Sequence, residues 1–279
     1  MQEISVNNWE EFEDKIKAIE NDRLQQKSRS KFLYRGQSDH NWSLSTTIER
    51  NWQGNGLSLK KYHHLIFVVR PQIESYTGVN WSTLSYPDQF EKWLNENNTL
   101  MPHALGSSTD FHDTYSYMVY LRHYGFPSPF LDWSSSPYVA AYFAFRQATR
   151  CKNDVSIYVY LESSSSIGLK SRGNDIPCIY IFGPYVKTDR RHFIQQSQYT
   201  VCIVQDNDEW MYVSHEAAFA RCDTDQDLLW KFNIPYSERL QVLKMLDRYN
   251  INALSLFGSE ESLMETMALR EIHLRDREL

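Results

Sequence analysis

The fold is indicated most clearly by the stretch LRHYGFPSPFLDWSSSPYVAAYFAF, residues 121–145. Its first residues complete a helical pattern that Gly125 stops, since glycine commonly ends helices. A new helix then begins, because Ser136 is a favoured N-cap residue and Pro137 fits the first helical position. The stretch therefore predicts a helix, a turn over residues 131–136 and a second helix.

Helical spacing dominates the sequence before this stretch, and strand patterns dominate after it. Helix caps are expected at Asn8, Ser237 and Ser259, and a loop is expected over residues 45–56. Four runs rich in β-branched and aromatic residues predict strands. They are VSIYVYL (155–161), IPCIYIF (176–182), YTVCIVQ (199–205) and LLWKFNI (228–234). We predict an α+β fold in a single domain over residues 1–279, with a helical insertion at about 57–110.

The composition excludes several classes of protein. A hydrophobic fraction of 42% is enough for a sizeable core, and a net charge of −6 argues against a broad, non-specific nucleic-acid surface. No apolar run approaches the roughly 20 residues that a membrane helix needs, and the N-terminus has no apolar signal core. The four cysteines are widely spaced, so we expect reduced thiols and no metal site. These features predict a cytoplasmic protein without a membrane partner.

The tetrapeptide YRGQ, residues 34–37, carries the first candidate for chemistry. Residues 32–34 predict a short strand, which Gly36 breaks, and Arg35 lies where a ligand can approach the backbone closely. Its guanidinium is a rigid fork of donors suited to phosphate or carboxylate. The alternative is a structural ion pair between Arg35 and a nearby acid such as Asp39.

The turn at residues 131–136 is the second candidate. Free N–H groups at the following helix start, together with serine hydroxyls, suit an anion or a ribose. An ordinary helix cap is the alternative, and it explains Ser136. It does not explain the concentration of polar groups at His123, Asp132, Ser134 and Ser135.

Four segments in order resemble the motifs of the FRG domain family. They are YRGQ (34–37), the stretch 121–145, RRHFIQQSQYTV (190–201) and LKMLDRYNINALSLF (243–257). The family is named for a Phe-Arg-Gly element, which corresponds here to Tyr34, Arg35 and Gly36. The resemblance covers roughly residues 5–265.

The FRG family itself resembles a branch of the ADP-ribosyltransferase fold, which implies central β-sheets with flanking helices and NAD as a substrate. The resemblance implies that Arg35 grips the diphosphate or ribose of NAD, that a serine orients the nicotinamide-side ribose, and that Tyr124 or Trp133 stacks on nicotinamide. The implied catalytic residues are Arg35, Asp132, Ser134, Gln195 and Gln196. The implied NAD-binding residues are Tyr34, Arg35, Gly36, His123, Tyr124, Trp133, Ser134 and Ser136.

The position of a late catalytic glutamate in such enzymes is occupied here by Gln195 and Gln196. A glutamine can hydrogen-bond a ribose hydroxyl, but it carries no charge to stabilise an oxocarbenium-like transition state. Either Asp132 or Glu216 supplies that charge, or the domain is slow, or it only binds.

The resemblance thus implies an NAD-dependent ADP-ribosyltransferase, a toxin or antiviral-defence effector that modifies a macromolecule. Clustered basic and aromatic residues favour RNA or DNA over protein as the target, and an antitoxin protein is a further expected partner. The basic residues are Lys27, Arg29, Lys31, Lys60, Lys61, Arg190 and Arg191. The alternatives are a non-catalytic nucleotide- or partner-binding module and, more weakly, a hydrolase using a serine with His123 and Asp132.

Overall fold

The computed structural model describes residues 1–25, 28, 30–52, 56–81, 87–98, 101, 109–147, 152–164, 170, 173–182, 186 and 188–275. The helices are α1 (Trp9–Gln25), α2 (Thr47–Asn51), α3 (Leu59–Thr77), α4 (Pro87–Glu96), α5 (Thr109–His123), α6 (Pro137–Arg146), α7 (Arg191–Ile194), α8 (His215–Phe219), α9 (Arg239–Arg248), α10 (Ala253–Phe257) and α11 (Glu260–Ala268). The strands are β1 (Gln2–Ser5), β2 (Phe32–Gln37), β3 (Leu57–Ser58), β4 (Leu131–Ser134), β5 (Val155–Ser163), β6 (Cys178–Phe182), β7 (Ser197–Asp206), β8 (Glu209–Tyr212) and β9 (Gln226–Ile234).

The strands form one mixed sheet in the order β1-β9-β5-β2-β4-β7-β8-β3, with β6 paired to β7. Strands β1 and β9 run parallel, and the other described pairings are antiparallel. Helices and a mixed sheet in one chain confirm the predicted α+β class. Within residues 57–110, the described residues form β3, α3, α4 and the start of α5.

The centre of the sheet is buried on both faces. Along β5, Val155, Ile157 and Val159 pack with α1, α6 and α9 on one face, whereas Tyr158 and Tyr160 pack into a second cluster on the other. This two-residue alternation is what an extended strand imposes. None of the described helices is both long and apolar enough to cross a membrane.

The predicted turn at residues 131–136 is wrong in its first part, because Leu131–Ser134 is the strand β4, which lies between β2 and β7. Leu131 and Trp133 belong to a buried cluster. Asp132 and Ser134 line a cavity. A strand of four residues with two polar side chains is too short to reveal its period in the sequence.

The predicted break at Gly36 is also wrong, because β2 continues to Gln37 in register with β5. A Cβ atom at Gly36 would lie 2.0 Å from the carbonyl oxygen of Ala140 and 2.6 Å from the nitrogen of Ala144. Glycine is required here because the backbone of α6 crosses β2 directly, and not because the strand ends.

The helix caps are partly as predicted. Asn8 accepts a hydrogen bond from Glu11 N at the start of α1, Ser136 caps α6, and Ser259 caps α11. Ser237 does not cap α9, which follows a 3₁₀ turn (Tyr236–Glu238) and has no side-chain cap. The expected loop at 45–56 contains α2.

Candidate functional site

A cavity of about 450 Å³ opens over the adjacent strands β2, β4 and β7. The pleat turns Asp132 and Ser134 of β4 towards it, with Tyr199 and Ser197 of β7 as their register partners. Most of the predicted site residues line this cavity: Tyr34, Arg35, Gly36, His123, Asp132, Trp133, Ser134 and Gln195. The two sequence segments that predict chemistry therefore meet at one place.

Arg35 lies at the base of the cavity with an incompletely paired guanidinium. Its Nη1 donates to the backbone carbonyl of Asp132 at 2.6 Å and lies 4.0 Å from a carboxylate oxygen of the same residue. Its Nε is buried and has no partner. Burial lowers the pKa of Arg35 to about 10, which leaves the side chain cationic at neutral pH.

The alternative ion pair of Arg35 with Asp39 is not formed. The Asp39 carboxylate accepts hydrogen bonds from the backbone and side chain of Asn41 and from the side chain of Asn153. The acid beside Arg35 is Asp132 instead.

Five arginines line the cavity, and Asp132 is the single carboxylate among its described lining residues. The arginines are Arg35, Arg50, Arg122, Arg146 and Arg191. Arg146 forms a two-point ion pair with Glu265, which lies outside the lining. Arg191 donates to the carbonyl of His123, but its buried Nε has no partner. The cavity is therefore strongly positive and offers free donors, which is the electrostatic setting of an anion site.

Asp132 is held by Arg122, whose Nε and Nη2 donate to the two carboxylate oxygens at 3.2 and 2.5 Å. The Asp132 side chain remains 39% exposed, so a ligand in the cavity can still reach it. Its charge is nevertheless partly offset by two neighbouring arginines.

His123 lies on the cavity wall in its neutral form. Burial, reinforced by the nearby positive charge of Arg191, lowers its pKa to about 4. Its Nε2 lies 2.6 Å from the hydroxyl of Tyr199 and its Nδ1 lies 3.4 Å from that of Thr188. Because Ser134 Oγ bonds to backbone groups rather than to His123, the contacts do not support the hydrolase alternative.

The late glutamines hold the backbone around the cavity. Ser134 Oγ donates to the carbonyl of Gln195 and accepts from the N–H of Ser136, while Gln195 Nε2 donates to the carbonyl of Leu256. Gln196 has a positive φ of 50° and accepts from Ser135 N through its own carbonyl. Gln195 lines the cavity, whereas Gln196 and Ser136 are not among its lining residues.

Neither of the two aromatic residues expected to stack on nicotinamide, Trp133 and Tyr124, has a ring that is open to the cavity. Trp133 is 3% exposed, and its Nε1 donates to Thr200, so its ring belongs to the core although it borders the cavity. Tyr124 lies outside the lining, with the guanidinium of Arg191 5.2 Å from the centre of its ring. Glu216 is also outside the lining and accepts a hydrogen bond from Leu44 N.

Sequence reasoning missed Arg122, Arg50, Trp42 and Tyr199, which all line the cavity. Arg122 lies within the 121–145 motif, next to His123, so its position beside a predicted site residue was the available signal. Arg50 and Trp42 have no comparable signal, because they lie in the segment predicted as a loop or just before it. No cluster of three or more metal-binding side chains occurs in the part of the chain that the structure describes.

Comparison with known proteins identifies one family. No curated protein and no solved structure matches this chain. The model of the FRG domain family matches residues 30–153, which include β2, α5, β4 and α6. That range supplies Arg35, Arg122 and Asp132, while Arg191 and Tyr199 come from the chain that follows it. The resemblance to the FRG family that the sequence predicts is confirmed by this match over residues 30–153 of the chain.

Proposed function

We propose that this protein binds NAD in the arginine-lined cavity and transfers the ADP-ribosyl group of NAD to a macromolecule. The observation that carries the proposal is the pair of buried guanidinium Nε–H groups, on Arg35 and Arg191, that have no partner. Buried donors are usually satisfied in folded proteins, and a ligand in this cavity would bring acceptors close to both arginines. The oxygens of a diphosphate match both their charge and their geometry.

The size of the cavity is consistent with this ligand. Its volume of about 450 Å³ lies within the usual range of small-molecule sites, roughly 300–1,000 Å³. The surrounding arginines would bind the diphosphate, and Asp132, on the central strand β4, is the one carboxylate among the described lining residues. A nucleotide could therefore bind with its phosphates near Arg35 and a ribose near Asp132 and Ser134.

In the proposed reaction the bond between the nicotinamide nitrogen and C1′ of the ribose breaks, and nicotinamide leaves with the bonding electrons. A nucleophilic atom of the acceptor then bonds to C1′ and loses its proton. A carboxylate close to the ribose stabilises the positive charge that develops on the sugar. Asp132 would supply that charge in place of the late glutamate.

A non-catalytic nucleotide-binding module is the second candidate, and one observation favours it. Both carboxylate oxygens of Asp132 accept hydrogen bonds from Arg122, which offsets the negative charge that the reaction needs. The side chain of Gln195 is also engaged, since its amide donates to the backbone of α10. Binding without turnover would require only the arginines.

The acceptor proposed first is RNA or DNA, with a protein as the alternative. Among the basic residues that favoured nucleic acid, Lys31, Lys61 and Arg190 are exposed. Lys60 pairs with Glu91 at 2.6 Å, and Arg191 belongs to the cavity. Lys27 and Arg29 lie outside the described residues. A toxin or antiviral-defence role, with an antitoxin protein as partner, would follow from modification of an essential macromolecule.

The test is to incubate the purified protein with NAD labelled in its adenylate part, together with RNA, single-stranded DNA or a protein extract. Release of nicotinamide and transfer of label to one acceptor, both lost in Arg35→Ala, would support the proposal. Binding of NAD by calorimetry without nicotinamide release would favour the binding module. Absence of NAD binding would reject the transferase and would leave a module that binds a different nucleotide or a partner.

A further inference from the structure

Trp42 is an exposed tryptophan at the arginine-lined cavity. It lines the cavity although 50% of its surface is open to solvent. Single exposed aromatic side chains are common on protein surfaces, so the significance of Trp42 comes from its place at a charged cavity and from the contacts that fix its loop.

The segment that carries it, residues 38–44, is called the Trp42 loop here. Hydrogen bonds fix its backbone at successive positions. They run from His40 N to Asp154 O (2.9 Å), from Trp42 N to Asp39 O (3.2 Å), from Tyr158 Oη to Trp42 O (3.3 Å), from Gln37 Nε2 to Ser43 O (3.2 Å) and from Leu44 N to Glu216 Oε1 (3.1 Å). These contacts hold the backbone of the loop in a preset position at the cavity, which reduces the entropy that the loop loses on binding.

Tyr158 connects this loop to the arginine site. It is the register partner of Arg35 across strands β2 and β5. Burial raises the pKa of Tyr158 to about 12, so its hydroxyl stays protonated and donates to the Trp42 carbonyl. The backbone of Trp42 is therefore tied, through Tyr158, to the strand that pairs with Arg35.

Gln37 supplies a second, independent observation. It lines the cavity and is only 7% exposed, and its Nε2 is used by Ser43 while its buried Oε1 has no partner. An unsatisfied buried acceptor next to an exposed aromatic ring suits a flat ring that carries an N–H donor.

We propose that Trp42 and Gln37 form the base subsite of the cavity: Trp42 stacks on the aromatic ring of a nucleotide, and Gln37 Oε1 accepts a hydrogen bond from its exocyclic amine or amide. The inference rests on the proposed binding of a nucleotide, whose phosphates lie on the arginines. Adenine and nicotinamide share this chemistry, since each is a flat aromatic ring with an –NH₂ group.

The experiment measures binding by calorimetry to wild type, Trp42→Ala and Trp42→Phe, with inorganic pyrophosphate, ADP and nicotinamide mononucleotide as probes. Stacking contributes about 1–3 kcal/mol per base, so Trp42→Ala should weaken the binding of one of the two nucleotides by about fivefold or more. Trp42→Phe should keep most of that affinity, and pyrophosphate should bind all three proteins equally. Tyr76→Ala, at a side chain that is 92% exposed, is the matched control and should change nothing.

The nucleotide whose affinity falls in Trp42→Ala carries the ring that stacks on Trp42. The role of Gln37 is then tested with the analogue of that nucleotide that lacks the –NH₂ group. IDP should bind more weakly than ADP, or nicotinic acid mononucleotide more weakly than nicotinamide mononucleotide. The base subsite is rejected if Trp42→Ala binds both nucleotides as wild type does, or if pyrophosphate binds wild type as tightly as they do. Nicotinamide release is a separate readout, so loss of the proposed transferase activity would leave this result standing.

Discussion

Arg122 binds the carboxylate of Asp132 through two hydrogen bonds, from Nε at 3.2 Å and from Nη2 at 2.5 Å. This pair joins the end of α5 to the central strand β4. It also leaves the guanidinium of Arg35 next to an acid that is already engaged, so that Arg35 bonds mainly to a backbone carbonyl. The cavity therefore keeps an excess of positive charge and an unused donor at its base.

Replacing Arg35 tests whether its unpaired guanidinium N–H binds a ligand. Arg35→Ala should weaken NAD binding by about tenfold or more, because hydrogen bonds to charged groups contribute about 1.5–3 kcal/mol. The melting temperature should fall by only a few degrees, roughly what 1 kcal/mol produces in a domain of this size. Calorimetry and thermal unfolding provide the two readouts, with the exposed Arg248→Ala as control. A large loss of stability with ligand binding intact would show that Arg35 is structural.

Replacing the charge of Asp132 tests the proposed catalysis. Asp132→Asn should lower nicotinamide release by about a hundredfold, because it removes the negative charge near the ribose, while NAD binding is retained. Steady-state kinetics and calorimetry separate the two effects. Asp14→Asn, at a side chain that is 81% exposed, controls for the change in net charge. Retained turnover with a stability loss of about 1 kcal/mol would instead assign Asp132 to holding Arg122.

Gly36 should tolerate no side chain, for a steric reason. The Cβ of Gly36→Ala would lie 2.0 Å from Ala140 O and 2.6 Å from Ala144 N, both in the backbone of α6. We expect a loss of about 3 kcal/mol or more in the free energy of unfolding, measured by urea denaturation. Gly78→Ala is the comparison, since Gly78 has a positive φ of 70° but open space around it, and about 1–2 kcal/mol is expected there. Equal losses at the two sites would contradict the packing argument.

Acid should destabilise the protein through two buried histidines. Burial lowers the pKa of His123 to about 4 and that of His215 to about 3, below the ordinary value of 6.5. As the pH falls from 6.5, the unfolded chain therefore binds protons that the native state does not, and the free energy of unfolding decreases. About one pH unit above that ordinary value the histidines of the unfolded chain are neutral too, so these two residues contribute no further pH dependence.

Urea denaturation at several values between about pH 4.5 and 6.5 measures this slope. The pKa values of Asp39 and Asp247 are lowered by hydrogen bonds, so the stability that they contribute is lost at lower pH. His123→Gln should reduce the slope between pH 4.5 and 6.5, because one titrating group is removed. An unchanged slope in His123→Gln would show that the native fold does not lower the pKa of His123.

Local patterns in the sequence determined a large part of this protein. The helix caps at Asn8, Ser136 and Ser259, the four strand-rich runs and the FRG motif all depend on neighbouring residues, whose spacing is visible in the chain. The same motifs singled out Arg35 and Asp132 as candidate site residues. Such features can be predicted because capping, turn formation and periodic burial act over a few residues.

Only the tertiary structure decided which side chains meet. Asp132 lies 97 positions after Arg35, and the two come together because β4 pairs with β2, a contact that leaves no local signal in a strand of four residues. The same long-range pairing brings Arg122, Arg191 and Trp42 to one cavity and places α6 against Gly36. The tertiary structure also places Trp133 in a buried cluster, and the side chain of Gln195 donates a hydrogen bond to the backbone of α10. Long-range strand pairing and helix crossing, which depend on the whole chain, thus set the charge and shape of the site.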